Sequence, residues 1–577
     1  APSCCSQERP RGSLIELIEQ VPHASKDGAS HVQVNLLAEY VAQQVPVAGL
    51  QGLAGPELRR ELCLRVFASE PPAPRAEAST ASASAAARAA SLPHGLLGRR
   101  RLSVAIIGGG VAGLLTAKWM KEEGFEPVIF EGSDRLGGIW AAGSSRMYTT
   151  LHSNTPREWM HFSDFEFQEP LEGRTDFPHH TAITAQVEAY IEHFGLASLA
   201  ELGVRVERIS RTPNGFTVQV GGRCRTFDRV CICNGQLQDA VVPPTPVEAP
   251  VDTGVSCMVP RSPLACGAPE VGSRRGRGGG TLAFHSSRLG SHSPGVFARS
   301  HVVVVGFGQA SGADVCELAA KDAASVTILS LKPIFLTPRL RGGQPTERSL
   351  SVLGALVPEV APLVLPYSRL MKFPPDSPEN FRADAHTVTR VWSLHELLLA
   401  GRVRIRQAHL LECRDGRAHL SDGGDIPADV LVWCTGYSSR ALDVLEPQLR
   451  TEIMKDAPLY HSVWAPDVPG LALVGHDEAM WYFLEMQARW VARAWAGTAP
   501  ALPEPAAMRA RIEEVRAVMA AMPKTRRKMP ILMTPGDAVM KFCQLATMAG
   551  VGPGASEIAL NLFSSFEPRF MHGASAA

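Results

Sequence analysis

The chain has 577 residues, too many for one ordinary hydrophobic core, so about three to four folding units are expected. Lys plus Arg and Asp plus Glu both number 57, which excludes the overall basic field that nucleic acid or an anionic membrane surface would call for. The 12 cysteines contain no CxxC, so neither a zinc site nor a dithiol redox centre has support, and no run of about 18 uncharged apolar residues marks a transmembrane span.

In chain order, residues 1–70 read as a small helical arm with patterns such as "VNLLAEYVAQQV". Residues 71–100 are Pro/Ala/Ser-rich and lack the apolar content that offsets ordering entropy, so they are expected to be a flexible linker. "TASASAAARAASLPHGLLGRRR" has the composition of an organelle transit segment, but its place behind the arm favours the linker reading and a cytoplasmic protein. From residue 101 the signals alternate: "SVAIIGG" and "PVIFEG" as strands, "LLTAKWMKEEG" and "ITAQVEAYIEHFG" as helices, "DRVCICNG" as a buried strand. That alternation predicts parallel sheets covered by helices. Residues 241–282 break the pattern with a low-complexity stretch and are expected to be a disordered insertion.

Two segments share the plan of strand, glycine loop, helix and strand. In the first, Gly108, Gly110 and Gly113 satisfy GxGxxG between an apolar strand and a helix, and Glu131 ends the next strand, placed to accept hydrogen bonds from ribose hydroxyls. In the second, Gly306 and Gly308 are in place, Ser311 occupies the third position and the glycine follows as Gly312. No acid ends its second strand. The strand leads instead to Ser330, Lys332, Arg339 and Arg341, candidates to meet a 2′-phosphate, so NADP(H) is favoured over NAD(H). A resident flavin with a visiting NADPH is the simplest pairing for two such sites.

The motifs "GGGVAGL", "EGSDRLGGIW", "LHSNTPREWMHFSDF", "HHTAITAQVEAYIEHFGL", "VCICNGQ", "VVVVGFGQASGAD" and "VWCTGY" resemble, in order and spacing over roughly residues 100–500, the flavin-containing monooxygenases. The resemblance implies an α/β fold with two Rossmann-like dinucleotide-binding domains, the NADPH domain (283–428) inserted into the FAD domain (101–240 and 429–577, including a C-terminal segment). The crossings between domains would follow the strands ending at "CNG" and "CTGY". Gly108, Gly109, Gly110, Val111, Ala112 and Gly113 would hold the FAD pyrophosphate, Glu131 its ribose, and Ile139 and Trp140 the flavin neighbourhood. Asn154 matches the family asparagine beside the flavin, flanked by Ser153 and Thr155; its alternative reading is a helix cap before "TPREWM". Gly306, Gly308, Ser311, Gly312, Ala313 and Asp314 would form the NADP loop, with Thr435 and Gly436 at the second crossing. The family signature FxGxxxHxxx(F/Y/W) keeps His285 but loses its aromatics to Gly279 and Leu289 and its glycine to Thr281, which implies a remodelled domain linker.

The activity implied is N,N-dimethylaniline monooxygenase-like: NADPH- and O2-dependent oxygenation of a soft amine nitrogen or sulfide sulfur through a flavin C4a-hydroperoxide. Baeyer-Villiger oxygenation of a ketone and a flavin-binding scaffold or oxidase that has lost coupled turnover are the rival readings. Substrate identity and oligomeric state are not written in these motifs.

Overall fold

The computed structural model describes residues 100–248, 280–345, 388–521, 545 and 548–550, apart from short gaps at 145, 158–159, 166, 168–175, 293, 308–310, 332–334, 342, 439, 455–458 and 477–479. The expected arm, nearly all of the linker, residues 249–279 of the expected insertion, Gly308 and Lys332 lie outside the described residues.

The first unit opens with β1 (Ser103–Ile107), α1 (Val111–Glu122) and β2 (Glu126–Phe130). After α2 (His180–His193) and the short β3 (Ala200–Glu201) comes an antiparallel meander, β4 (Val206–Thr212), β5 (Gly215–Val220) and β6 (Arg223–Phe227), then β7 (Arg229–Ile232). Val104, Ala105 and Ile106 of β1 are all fully buried, as a central parallel strand covered on both faces requires. One face carries α1; the other carries the meander, whose Ile209, Phe216 and Val218 pack on Ala105, Ile107 and Phe130.

The chain then leaves through β8 (Asp239–Ala240) and builds a second unit from β9 (Leu282–His285), β10 (His301–Val305), α3 (Ser311–Ala319) and β11 (Ser325–Leu329). Next come β12 (Phe335–Pro338), the hairpin β13 (Leu340–Arg341) and β14 (Gln344–Pro345), β15 (Val388–Val391), α4 (Leu394–Leu399) and β16 (Val403–Arg406). The meander β17 (Leu410–Arg414), β18 (Arg417–Leu420) and β19 (Asp425–Pro427) precedes β20 (Val430–Trp433). Its parallel sheet has the order β16-β11-β10-β20-β9, with α3 and α4 on one face and the β17–β19 meander on the other. The three-layer plan of the first unit is thus repeated.

After β21 (Tyr437–Ser438) and α5 (Pro447–Met454), β22 (Leu471–Leu473) rejoins the first sheet, whose order is β22-β7-β1-β2-β3. α6 (Trp481–Ala496) then covers α1, and α7 (Pro505–Ala521) follows it. The second unit is therefore an insertion into the first, and the strands ending at "CNG" and "CTGY" do precede the crossings. The crossings pair antiparallel, Ala240 opposite Tyr437 and Asp239 opposite Ser438, as a two-stranded ribbon. One boundary differs from expectation: β20, assigned from sequence to the returning segment after residue 429, sits between β10 and β9. An apolar run such as "VLVW" is equally compatible with either buried sheet, and only pairing decides.

Candidate functional site

Gly108 follows β1 with φ of 108°, and its N–H donates to the Phe130 carbonyl at 2.9 Å. A Cβ there would stand 2.7 Å from the Cys233 carbonyl oxygen, and one on Gly113 would stand 1.9 Å from that of Gly108, so both positions demand glycine. Val111 and Ala112 are buried at the start of α1. Gly110 caps that helix with no side-chain acceptor, and its first turn carries no acid. Glu131 directly follows β2. Its Oε2 accepts from Gly109 N–H at 2.7 Å and its Oε1 from the Ser133 N–H and hydroxyl at 2.8 Å.

Two further segments close on this loop. Gly137 N–H donates to the Gly109 carbonyl at 2.9 Å, and a Cβ on Gly138 would lie 2.9 Å from Gly110 Cα. Gly475, just beyond β22, lies against Ala112, where its Cβ would meet the alanine methyl at 3.0 Å, and its N–H is held by Gln487 of α6 at 2.9 Å. Neither Gly475 nor Gln487 was a sequence candidate; the "LVGH" step after a short apolar run was the signal. Ile139 is exposed and Trp140 half-buried beside the loop, with the Trp140 carbonyl held by Thr184. A narrow backbone cradle at an open helix N-terminus fits a pyrophosphate.

The second loop repeats the first turn. Gly306 has φ of 81° and faces the Cys434 carbonyl oxygen, which its Cβ would approach to 3.0 Å, just as Gly108 faces that of Cys233. The displaced Gly312 has its own reason: a Cβ would come within 2.8 Å of the Phe307 ring. Ala313 is fully buried, and the Ser311 hydroxyl meets the Cys434 thiol, which burial pushes up to about 12. Here the helix does carry an acid in its first turn, Asp314. Burial pushes the Asp314 carboxyl up to about 6 against the pull of the Arg339 guanidinium and the Tyr148 hydroxyl.

Arg339 corrects the expected 2′-phosphate set. It is 1% exposed, and donates from Nη1 to the Ser153 carbonyl at 2.7 Å, and from Nη2 to Asn154 Oδ1 at 2.5 Å and Asp314 Oδ1 at 3.3 Å. Its guanidinium is thus committed inside the protein. Ser330 is buried at the end of β11, and Arg341 lies in β13. Arg406 ends the neighbouring β16 opposite Leu329 and pairs with Asp422 at 2.6 Å, a cation at this sheet edge that the sequence reading missed.

The loop carrying Asn154 is held at the seam between the units. Ser153 N–H donates to the Pro178 carbonyl at 2.9 Å and its hydroxyl to the Thr155 carbonyl, while Tyr148 packs into the core of the second unit. The Asn154 side-chain oxygen accepts from Arg339 across the seam, a partner that the helix-cap reading does not supply. Thr435 and Gly436 serve the ribbon: Thr435 donates to the Val241 carbonyl, and the Gly436 carbonyl accepts from Val241 N–H at 3.0 Å and His285 Nε2 at 3.1 Å. Ser287 N–H donates to His285 Nδ1 at 3.1 Å, which fixes the Nε2–H tautomer, and burial pulls the imidazole down to about 4. Thr281 donates to the Ala428 carbonyl at 2.6 Å and Leu289 is buried, so these two of the altered signature residues are packed into the fold, while Gly279 lies outside the described residues. Arg146 braces the same ribbon through the Leu237 and Gln238 carbonyls and the Tyr437 ring.

Among the described residues no His/Cys/Asp/Glu group has metal-binding geometry, and no helix is long and apolar enough to cross a membrane.

Residues 101–352 match the FMO-like family model, described as flavin-binding monooxygenase-like. Flavin-containing monooxygenase 5 of Cavia porcellus is 24% identical over 487 residues, covering 79% of this chain and 84% of that protein. Flavin-containing monooxygenase 1 of Rattus norvegicus is 27% identical over 443 residues, covering 71% and 76%. The fold is shared with S-allyl-L-cysteine S-oxygenase from Allium sativum (TM-score 0.52, 22% identity, 78% of this chain and 89% of that one). It is also shared with a cyclohexanone monooxygenase in an open structure (TM-score 0.54, 14% identity, 75% and 97%).

Proposed function

We propose that this chain, whose residues 101–352 match the flavin-binding monooxygenase-like family model, is an FAD-containing, NADPH- and O2-dependent monooxygenase acting on a soft nitrogen or sulfur centre. The observation that carries the reading is the pair of glycine loops, each backed by the end of a neighbouring parallel strand, with the Asn154 loop pinned at the seam between their units. Gly108 to Gly113, Glu131, Gly138 and Gly475 would hold FAD, and Gly306 with the start of α3 would hold NADPH. The flavin supplies hydride acceptance and oxygen activation. The chain's own task is then to bind, orient and keep water out: Asn154 presents an amide, Ile139 and Trp140 an apolar wall, and the ribbon keeps the two units in register.

The overall balance takes one NADPH, one proton and one O2 to transfer one oxygen atom to substrate and release the other as water. Asp314 in the first turn of α3 would oppose a phosphate there, and its pairing with Arg339 offsets that charge. Product analysis with purified holoprotein tests the reading. N-oxide from a tertiary amine or sulfoxide from a dialkyl sulfide, matched to NADPH consumed, supports it; lactone from a cyclic ketone would redirect it to Baeyer-Villiger oxygenation. Hydrogen peroxide alone, or bound flavin that NADPH fails to reduce, would leave an oxidase or a scaffold.

A further inference from the structure

Arg339 belongs to the second unit but reaches into the first. Its backbone N–H donates to the Val391 carbonyl at 2.9 Å, and its guanidinium lies 4.7 Å from the Trp392 ring centroid. Trp392 N–H is in turn fixed by Glu317 Oε1 of α3 at 2.8 Å. From that support the side chain contacts the Ser153 carbonyl, the Asn154 amide and Asp314. Arginine has donors and no acceptor, so the Asn154 atom facing it must be the oxygen, and the amide NH2 must point elsewhere. Among the described residues no acceptor is recorded for that NH2.

We propose that Arg339 is a positioning residue for Asn154: it locks the amide with its oxygen inward, leaving the NH2 as the group presented to the flavin, and does so only while the second unit is docked. The proposal rests on the monooxygenase reading for Asn154's place beside the flavin. A planar fork making separate bonds to a backbone carbonyl and a side-chain amide cannot be replaced by lysine, whose ammonium is a single point of donation. Asp314 and the Trp392 ring keep the fork in place without touching Asn154.

The test compares Asn154→Ala, Arg339→Lys and the double variant as holoproteins, by the visible absorption and circular dichroism of bound flavin and by the share of NADPH oxidation that ends as hydrogen peroxide. We expect Arg339→Lys to reproduce the spectral change of Asn154→Ala, to lower product formed per NADPH by about ten- to a hundredfold, and to add nothing on top of Asn154→Ala. Independent, multiplying effects would overturn the proposal, as would a change confined to the KM for NADPH, which would return Arg339 to phosphate recognition. If Arg339→Lys fails to hold flavin, Asp314→Asn replaces it, with the same spectral change at smaller amplitude expected and an unchanged spectrum counting against the proposal. A wild-type protein that makes no product would sink the monooxygenase reading alone, because the spectral comparison still decides whether Arg339 and Asn154 act as a unit.

Discussion

A methyl group at position 113 would fall 1.9 Å from the Gly108 carbonyl oxygen, well inside contact distance, so Gly113→Ala must push α1 away from its loop. The expected outcome is a loss of about 3 kcal/mol of stability and of bound flavin, read by thermal unfolding and by flavin per chain. Flavin retained at full stoichiometry would show that this loop is not the site. Glu131→Ala acts differently, because it removes the acceptor for Gly109 N–H and Ser133 without steric conflict. A fall of about 1 to 3 kcal/mol is expected, with flavin binding weakened and restored in part by added FAD. Both residues were legible in the sequence because their partners lie within one strand, loop and helix. Arg339 was misread for the opposite reason. Its partner Asn154 is 185 positions away, and a basic residue after a Rossmann strand looks the same whether it faces a phosphate or the interior.

At the scale of elements, the sequence marks α1 as a helix without saying which faces it buries. The structure buries Val111 through Met120 without a break, since α6 lies on the face away from the sheet. Lys118 is consequently 2% exposed and pairs with Glu122 at 2.8 Å and with Asp164, its ammonium 3.2 Å from the Trp119 ring centroid. Close by in the same layer, Glu485 of α6 accepts from Ser163 N–H at 2.8 Å, and burial raises its carboxyl, with the neighbouring Asp164 charge adding to the rise. Lys118 is thus the direct counter-charge of Asp164, next to a second buried carboxyl. Lys118→Met, close in volume, removes the direct partner of Asp164 and leaves Arg489 as the cation facing both acids, so a loss of about 3 kcal/mol is expected by urea unfolding. An equally stable variant would mean that the acids take up protons instead, which a shift of the unfolding midpoint with pH would reveal. No local pattern announces this layer, because α6 comes more than 350 residues after α1 and carries the charges inward.

At the scale of the whole molecule, the insertion of one Rossmann-like unit in the other was implied by the family resemblance of the motifs, whereas the placement of β20 and the pairing of β8 with β21 needed the sheets themselves. That seam buries two titrating groups with opposite linkage. Asp314, raised from 3.8 to about 6 with Arg339, Tyr148 and Glu317 around it, holds a proton in the folded state that the unfolded chain has already lost. Stability from this group therefore falls by about 3 kcal/mol as pH rises from about 4 to 6. His285, lowered from 6.5 to about 4 by burial and the Arg146 charge, lacks in the folded state a proton that the unfolded chain binds. Its contribution rises by about 3 kcal/mol between about pH 4 and 6.5. Asp314→Asn should accordingly gain stability relative to the parent as pH rises through this window. His285→Gln, which keeps a donor for the Gly436 carbonyl, should lose relative stability over the same range. Unfolding midpoints at pH 4.5, 5.5 and 7 check both, and parallel slopes for the two variants would contradict the assignment. Opposed slopes would mean that the seam in the parent protein feels little net change in this range, since the proton Asp314 gives up and the proton His285 refuses offset one another. A dinucleotide bound near α3 would break that balance from one side only, because Asp314 lies in the first turn of the helix while His285 holds the ribbon.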